Sequence, residues 1–235
     1  MCHACRTLLR RRGFLAAGLA GATGWAALPV RAASGPTSGV GVGEALSRLQ
    51  AGNRRFVEAP QVCAAQLASS REQMAAHQAP WAAVLSCADS RVPPELVFGG
   101  LGLGELFVAR NAGNQIDTNT LGTLEYGSAV LGVPLIVVLG HERCGAIAAA
   151  CDVVERNAQF PGSIGSMVGT LLPAAQAVKG RTGDFVDLAV RENARQTARR
   201  IATDSPVIAP RVAAGTLRVI AARYDLDDGR VEFLE

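Results

Sequence analysis

The chain has 235 residues, of which 49% are apolar, and a formal net charge of +3 from 23 basic and 20 acidic side chains. A chain of this length and apolar content can bury one sizeable core, which excludes a disordered protein. Six cysteines are too few for a disulfide scaffold and point to chemistry instead. The sequence pI of about 8.7 suits a nucleic-acid-binding protein only if the basic residues belong to the folded part.

The excess of positive charge lies in the first 32 residues, which contain five arginines and no acidic residue. The apolar stretch Phe14–Leu28 is about 15 residues long and therefore shorter than the ~20 residues that a membrane-spanning helix needs. This layout predicts a cleaved secretory signal over residues 1–32, cut after Ala32 or Ala33. Its removal leaves 18 basic and 20 acidic residues. We therefore expect neither nucleic-acid binding nor a stable membrane anchor.

The segment Arg11-Arg12-Gly13-Phe14-Leu15 resembles the twin-arginine export signal, although Arg10 stands where Ser or Thr is common. The resemblance implies that the protein is exported in a folded state to the periplasm or is secreted, with an ordinary secretory signal as the alternative. Residues 33–43 are rich in Gly and Ser and are predicted to form a linker. The predicted domain therefore spans residues 44–235.

The domain begins with helical patterns and continues with alternating strands and helices. Apolar spacing predicts a short helix that ends at Gly52-Asn53 and a second helix over residues 64–78. Four apolar runs have the length and flanks of buried strands: Ala82–Cys87, Glu105–Arg110, Pro134–Gly140 and Leu217–Tyr224. Helices are predicted between them over residues 117–131, 144–158 and 184–203, and a turn at 227–230 leads to a last strand at 231–234. This order predicts an α/β fold with a mostly parallel β-sheet flanked by helices and an antiparallel C-terminal edge strand.

Two predicted strands end in residues that bind metals. Cys87 closes the first strand, and His141 and Cys144 follow the third. Functional groups in open parallel sheets gather at the carboxyl ends of the strands, so we expect these three side chains to meet. Two thiols and one imidazole are ligands that zinc prefers, and three protein ligands leave the open position of a catalytic site. Cys144 is also expected at a helix N-terminus, which favours its thiolate.

Asp89 and Arg91 follow Cys87 at intervals of two residues. If the backbone stays extended, the side chains share one side, and Arg91 can hold the carboxylate of Asp89 in a bidentate pair. A phosphatase loop of the Cys-x5-Arg type is excluded, because Pro93 stands at the arginine position. A cysteine at a strand end is more often a small buried hydrophobic residue, so these residues alone leave a zinc site and simple packing both open.

The segment Cys87-Ala88-Asp89-Ser90-Arg91-Val92-Pro93, together with His141-x-x-Cys144-Gly145, resembles the paired signature of the β-class carbonic anhydrases. Further matching blocks are Gly52–Phe56, Gly104–Asn114, Leu124–Tyr126 and Tyr224–Asp227. The resemblance implies reversible hydration of CO2 to bicarbonate and a proton, with one Zn²⁺ per subunit. It also implies that Cys87, His141 and Cys144 bind the zinc and that water or hydroxide takes the fourth position.

The resemblance assigns roles to residues around this site as well. Asp89 and Arg91 are implied to be the catalytic dyad, with Asp89 bound to the metal only in a closed form that some members adopt. The tryptophan associated with that form is replaced by Val84, and Gln78 matches the plant-like subgroup. The implied substrate-binding residues are Gln78, Phe107, Tyr126 and Gly145. In the family they come from both subunits, which implies a homodimer or a larger even-numbered oligomer; core packing is the alternative for the two aromatic residues.

Two other functions remain open at this point. One is a hydrolase of the same fold that acts on carbonyl sulfide or carbon disulfide, and the other is a catalytically silent subunit that binds zinc or inorganic carbon. The intact pair of Asp89 and Arg91 argues against the silent subunit. Cys63 and Cys151 receive no role, and packing or a disulfide would account for either.

Overall fold

The computed structural model describes residues 37–59 and 77–234 of the chain. The predicted signal, Cys63 and almost all of the predicted helix at 64–78 lie outside these residues. Residues 37–41 precede the first helix without regular structure. Within the described part, no helix combines the length and the apolar character that crossing a bilayer requires.

Five strands form one sheet. They are β1 (Ala82–Cys87), β2 (Leu106–Asn111), β3 (Leu135–His141), β4 (Arg218–Tyr224) and β5 (Val231–Leu234). Their order across the sheet is β2-β1-β3-β4-β5. All neighbours are parallel except β4 and β5, which are antiparallel. The predicted mostly parallel sheet with an antiparallel C-terminal edge strand is thus confirmed.

Helices fill the connections between the strands. In the described residues they are α1 (Val42–Glu58), α2 (Pro94–Val97), α3 (Thr118–Ala129), α4 (Gly145–Arg156), α5 (Gly162–Gly169), α6 (Leu172–Val178), α7 (Phe185–Asp204) and α8 (Ala209–Ala213). The helices predicted over 117–131, 144–158 and 184–203 are confirmed as α3, α4 and α7. An aspartate begins two of them: Asp117 accepts from the Thr120 N–H and Asp184 from the Asp187 N–H, each over 2.7 Å, as helix-capping residues do.

Central and edge strands differ in burial. Every residue of β1 and β3 is buried, which explains their continuous apolar sequences. Side chains alternate between the faces: Val84 and Val137 pack on the side of α1, whereas Leu85 packs on the side of α7. β2 is mostly half-buried, so the prediction of a buried strand is wrong there. The reason is its place at the edge of the sheet, where only β1 pairs with it.

The first helix is longer than its sequence predicts, because α1 continues through Gly52 and Asn53 to Glu58. The predicted end at Gly52-Asn53 is therefore wrong. A Cβ atom at Gly52 would lie 1.9 Å from the carbonyl oxygen of Phe98, so only glycine permits this close approach of two backbones. Asn53 is buried and donates to the carbonyl of Val97 over 3.0 Å. Both residues hold α1 against the backbone of residues 97 and 98, and neither ends the helix.

Candidate metal centre

Three soft ligands meet at the carboxyl end of the central strands, as the sequence predicts. Cys87 is the last residue of β1, His141 is the last residue of β3, and Cys144 directly precedes α4. One ligand atom of each lies within 4.8 Å of the others, and the two sulfur atoms are 3.9 Å apart. All three side chains are buried. This arrangement can hold one metal ion with three protein ligands.

The imidazole of His141 is oriented by the main chain. Its Nδ1 atom lies 2.9 Å from the carbonyl oxygen of Glu142, which can only accept, so Nδ1 carries the proton. The neutral ring then has its lone pair on Nε2. That atom is buried and has no hydrogen-bond partner within the described residues. An unpaired buried nitrogen is costly unless a ligand satisfies it, so Nε2 fits a metal-binding role.

The two thiols differ in acidity because they contact each other. The hydrogen bond with Cys144, supported by contacts with His141 and the Gly113 N–H, outweighs the opposing effect of burial and lowers the pKa of Cys87 to about 4. The same contact with Cys87, followed by burial, raises the pKa of Cys144. Cys87 is thus already disposed to be a thiolate, which is the form that binds metals.

A carboxylate and a guanidinium stand beside the three ligands. Arg91 donates from Nε to Oδ1 of Asp89 over 2.9 Å and from a terminal nitrogen to Oδ2 over 2.7 Å. This bidentate pair confirms the arrangement predicted from the two-residue spacing. The side-chain hydrogen bonds from Arg91 hold the pKa of Asp89 well below its usual range. Oδ2 of Asp89 is 3.8 Å from Nε2 of His141, so the dyad adjoins the candidate metal position.

Two supporting residues received no separate role from the sequence. Arg110 on β2 donates to the carbonyl oxygens of Cys87 over 3.0 Å and of Asp89 over 2.6 Å, which fixes the backbone that carries both side chains. The Gly113 N–H donates to the sulfur of Cys87 over 3.4 Å. A Cβ atom at Gly113 would meet the side chain of Leu171 at 2.8 Å, and its φ of +78° also favours glycine. An arginine in a strand and a glycine in a loop have many uses, so their patterns alone could not indicate these contacts.

The predicted substrate-binding residues lie in three places. Gly145 is the first residue of α4, directly after Cys144, and open space surrounds its Cα atom. Phe107 and Tyr126 contact each other with ring centroids 6.2 Å apart, and 42% of Tyr126 is exposed. Phe107 pairs with Ala83 near the start of β1, whereas Asn111, four residues on, pairs with Cys87. Gln78 is exposed and precedes β1, so one chain does not bring Gln78 or the aromatic pair to its own thiols.

The fold and the centre together define a class: an open α/β protein whose candidate metal site of two cysteines and one histidine lies at the carboxyl edge of a parallel sheet. A comparison with protein families agrees, because residues 82–231 match the family model described as carbonic anhydrase. Those residues include β1 to β4, all three candidate ligands and the dyad. The chain belongs to the β-carbonic anhydrase family and is a carbonic anhydrase by that membership.

Individual relatives agree with this assignment. Carbonic anhydrase 2 of Mycobacterium tuberculosis (strain CDC 1551 / Oshkosh) is 38% identical over 182 residues, which are 77% of this chain and 87% of the relative. A carbonic anhydrase of Mycolicibacterium smegmatis is 37% identical over 184 residues, covering 78% of this chain and 89% of the relative. A solved β-carbonic anhydrase from Coccomyxa, in complex with acetazolamide, matches with a TM-score of 0.61 at 28% identity, over 80% of this chain and 86% of that one. One of two tetrameric β-carbonic anhydrases from Sordaria macrospora matches with a TM-score of 0.63 at 26% identity, over 81% and 94%.

Proposed function

We propose that this chain is a zinc enzyme that hydrates CO2 reversibly to bicarbonate and a proton. The observation that carries the proposal is the convergence of two thiols and the unpaired Nε2 of His141 beside the dyad. Cys87, His141 and Cys144 would hold the ion, since two sulfurs and one imidazole suit zinc. Bound there, zinc would act as a Lewis acid that lowers the pKa of a water molecule.

Asp89 would orient the nucleophile. Its carboxylate is held in place by two contacts from Arg91 and stays ionised, so it can only accept hydrogen bonds. A hydroxyl group beside it would therefore donate to Asp89 and turn a lone pair toward CO2. Such fixed orientation is one of the main sources of enzymatic rate enhancement. Arg91 would act through Asp89 by holding the carboxylate still.

Gly145 would contact the product. Its N–H lies in the first turn of α4, where unpaired N–H groups and the helix dipole favour an anion. A Cβ atom at Gly145 would meet nothing within 4 Å, so no neighbouring group blocks this position in one chain. The N–H groups of Ile147 and Ala146 in the same turn act to lower the pKa of Cys144, but the hydrogen bond with Cys87 and burial outweigh them. The thiolate expected from the helix N-terminus is therefore not favoured before a metal binds.

The rest of the substrate pocket would come from a second copy. Gln78 and the pair of Phe107 and Tyr126 lie away from the ligands of their own chain, and the edge strand β2 is only half-buried. We propose a homodimer, or a larger even-numbered oligomer, in which these residues face the partner's metal site. The tetrameric relatives from Sordaria macrospora support an even-numbered assembly. Gln78 and Val84, together with Asp89 held by Arg91, support the plant-like subgroup.

Stopped-flow CO2 hydration by the protein, with metal analysis of the same sample, tests this function. We expect rapid hydration and about one zinc per chain. Metal-loaded protein that hydrolyses carbonyl sulfide or carbon disulfide but does not hydrate CO2 would identify the alternative hydrolase. Loaded protein that acts on none of the three would identify the silent subunit, and absence of metal would contradict the proposed centre.

For location, we propose export through the twin-arginine route. The support is the sequence alone, with Arg11 and Arg12 before an apolar stretch. Cell fractionation of the chain and of a variant with Arg11→Lys and Arg12→Lys tests this proposal. We expect the original chain outside the cytoplasm and the variant inside. Export of both would favour an ordinary secretory signal.

A further inference from the structure

The segment between the second and third metal ligands contains a residue in an uncommon conformation. Arg143 lies between His141 and Cys144 with φ of +52°, in the left-handed region that residues with a Cβ atom seldom adopt. Such a conformation persists where the surrounding structure holds it. If this residue relaxed, the ligand atoms on either side of it would turn away from each other. The contacts of Arg143 therefore bear on the metal centre.

Arg143 is bound to the turn between β4 and β5. Its two terminal nitrogens donate to the two carboxylate oxygens of Asp227, over 3.0 Å and 2.6 Å. A guanidinium and a carboxylate that meet in this bidentate way fix direction as well as distance. The first of these nitrogens also lies 3.3 Å from a carboxylate oxygen of Glu142.

The turn that carries Asp227 is itself fixed. Oδ1 of Asp225 accepts from the N–H groups of Asp227 over 2.9 Å and Asp228 over 3.2 Å. Oδ2 of Asp225 accepts from Arg223, at the end of β4, over 2.7 Å. Asp227 is therefore a defined point of attachment, although 69% of its side chain is exposed.

Among the described residues, the ligand segment is also attached to the end of β4 and to this turn through Glu142, which precedes Arg143. The N–H of Glu142 donates to the carbonyl of Tyr224 over 2.9 Å, and the carboxylate of Glu142 accepts from the N–H of Leu226 over 3.2 Å. These contacts fix the backbone next to His141. Among the described residues, the contact with Asp227 is the one that joins the left-handed residue itself to this turn.

We propose that Asp227 is a positioning residue for the metal centre. Through Arg143 it holds the backbone between His141 and Cys144 so that Nε2 and Sγ face the same ion. This inference rests on the proposed metal-binding function of the site. Because the two side chains are 52% and 69% exposed, the pair adds little to global stability, and its effect should be seen in metal retention.

The test measures how fast the zinc-loaded protein transfers its metal to a chromogenic chelator. Asp227→Asn and Arg143→Ala should each release zinc about 5-fold faster than the original chain. The double variant should release zinc no faster than Arg143→Ala, because that change already removes the contact with Asp227 together with the longer contact with Glu142. Asp228→Asn is the matched control: this carboxylate belongs to the same turn but bonds to Arg230 over 3.2 Å, so release should be unchanged.

Arg143→Gly separates the backbone effect from the ion pair. This variant also loses the contact with Asp227, but glycine adopts positive φ without strain. It should therefore release zinc more slowly than Arg143→Ala, with circular dichroism confirming that both are folded. The inference would be overturned if Asp227→Asn released zinc as slowly as the original chain, or if Arg143→Gly and Arg143→Ala released it equally fast. Either result would leave the proposed zinc function standing. An original chain that binds no zinc would overturn both.

Discussion

Two parts of the proposed active site differ in how much of their environment one chain supplies. The candidate metal ligands Cys87 and His141 end the two central strands and are buried; a main-chain N–H contacts the first and a main-chain carbonyl contacts the second. Phe107 lies on the edge strand β2 and contacts Tyr126 of α3, whose side chain is left partly exposed by the described residues. In the proposed enzyme, one chain would therefore supply all the metal ligands, whereas the substrate pocket would depend on assembly.

The largest expected effect comes from removing a ligand in the central part. Cys87→Ser replaces a soft thiolate by a hydroxyl group, so we expect loss of bound zinc and a fall of CO2 hydration to the uncatalysed rate. Cys151→Ser is the matched control, because burial raises the pKa of Cys151 to about 11 and keeps it an unreactive thiol within α4. Metal analysis and stopped-flow assays check both variants. Normal zinc content in Cys87→Ser would remove Cys87 from the ligand set.

A smaller effect is expected from Asp89→Asn, which keeps the ligands but removes the fixed acceptor. The asparagine amide cannot form the same charged pair with Arg91, and it accepts a hydrogen bond less strongly than a carboxylate does. We therefore expect the CO2 hydration rate to fall about 100-fold with zinc content unchanged. Asp228→Asn serves as a control with the same chemical change on an exposed turn. Full activity in zinc-loaded Asp89→Asn would contradict the role given to this carboxylate.

Mixing two inactive variants tests the division between the two parts directly. Gln78→Leu damages the proposed pocket, and Cys87→Ser removes the metal site. Suppose that each site takes its metal ligands from one chain and Gln78 from the other. After refolding of an equal mixture, about half of the dimers contain one chain of each variant, and each of these has one complete site out of two. The whole mixture should therefore recover about a quarter of the original activity. Each variant refolded with itself is the control. Recovery of no activity in dimers shown to be mixed would place Gln78 at the site of its own chain, whereas full activity of Gln78→Leu refolded with itself would place Gln78 outside any site.

The smallest effect concerns the stability of the fold at low pH. Arg223 on β4 donates to the carboxylate of Asp187 on α7 over 2.6 Å. Burial opposes ionisation of Asp187, but hydrogen bonds from Arg191 and Arg223 outweigh it and lower its pKa. This stabilisation is present above the ordinary pKa of about 4 and is lost as the pH falls through the lowered value. Asp187→Asn should therefore cost about 1 kcal/mol of unfolding free energy at pH 7. The difference from the original chain should shrink below pH 4, as urea unfolding at several pH values will show.

The sequence predicts the central part far better than the edge. Parallel strands that end in Cys87 and His141 must bring them to one edge of the sheet, so the topology alone leads to the ligand set. The burial of β2 depends on its order in the sheet, which a local apolar pattern does not contain. The helical position of Gly52 depends on a backbone contact with Phe98, which is distant in sequence. The same holds for the attachment of Arg143, whose side chain bonds to a partner 84 residues away.

The hydrogen bond between His141 Nδ1 and the carbonyl of Glu142 has a consequence for divergence within the family. The acceptor is a main-chain oxygen, which every amino acid supplies, so substitutions at position 142 leave this contact available. The N–H of Gly113 that reaches Cys87 is likewise main chain. The carboxylate of Glu142 has a separate task, because it accepts from the N–H of Leu226 and helps to fix the backbone next to His141. A change of residue 142 therefore keeps the acceptor for the imidazole but weakens the attachment of the backbone that carries it.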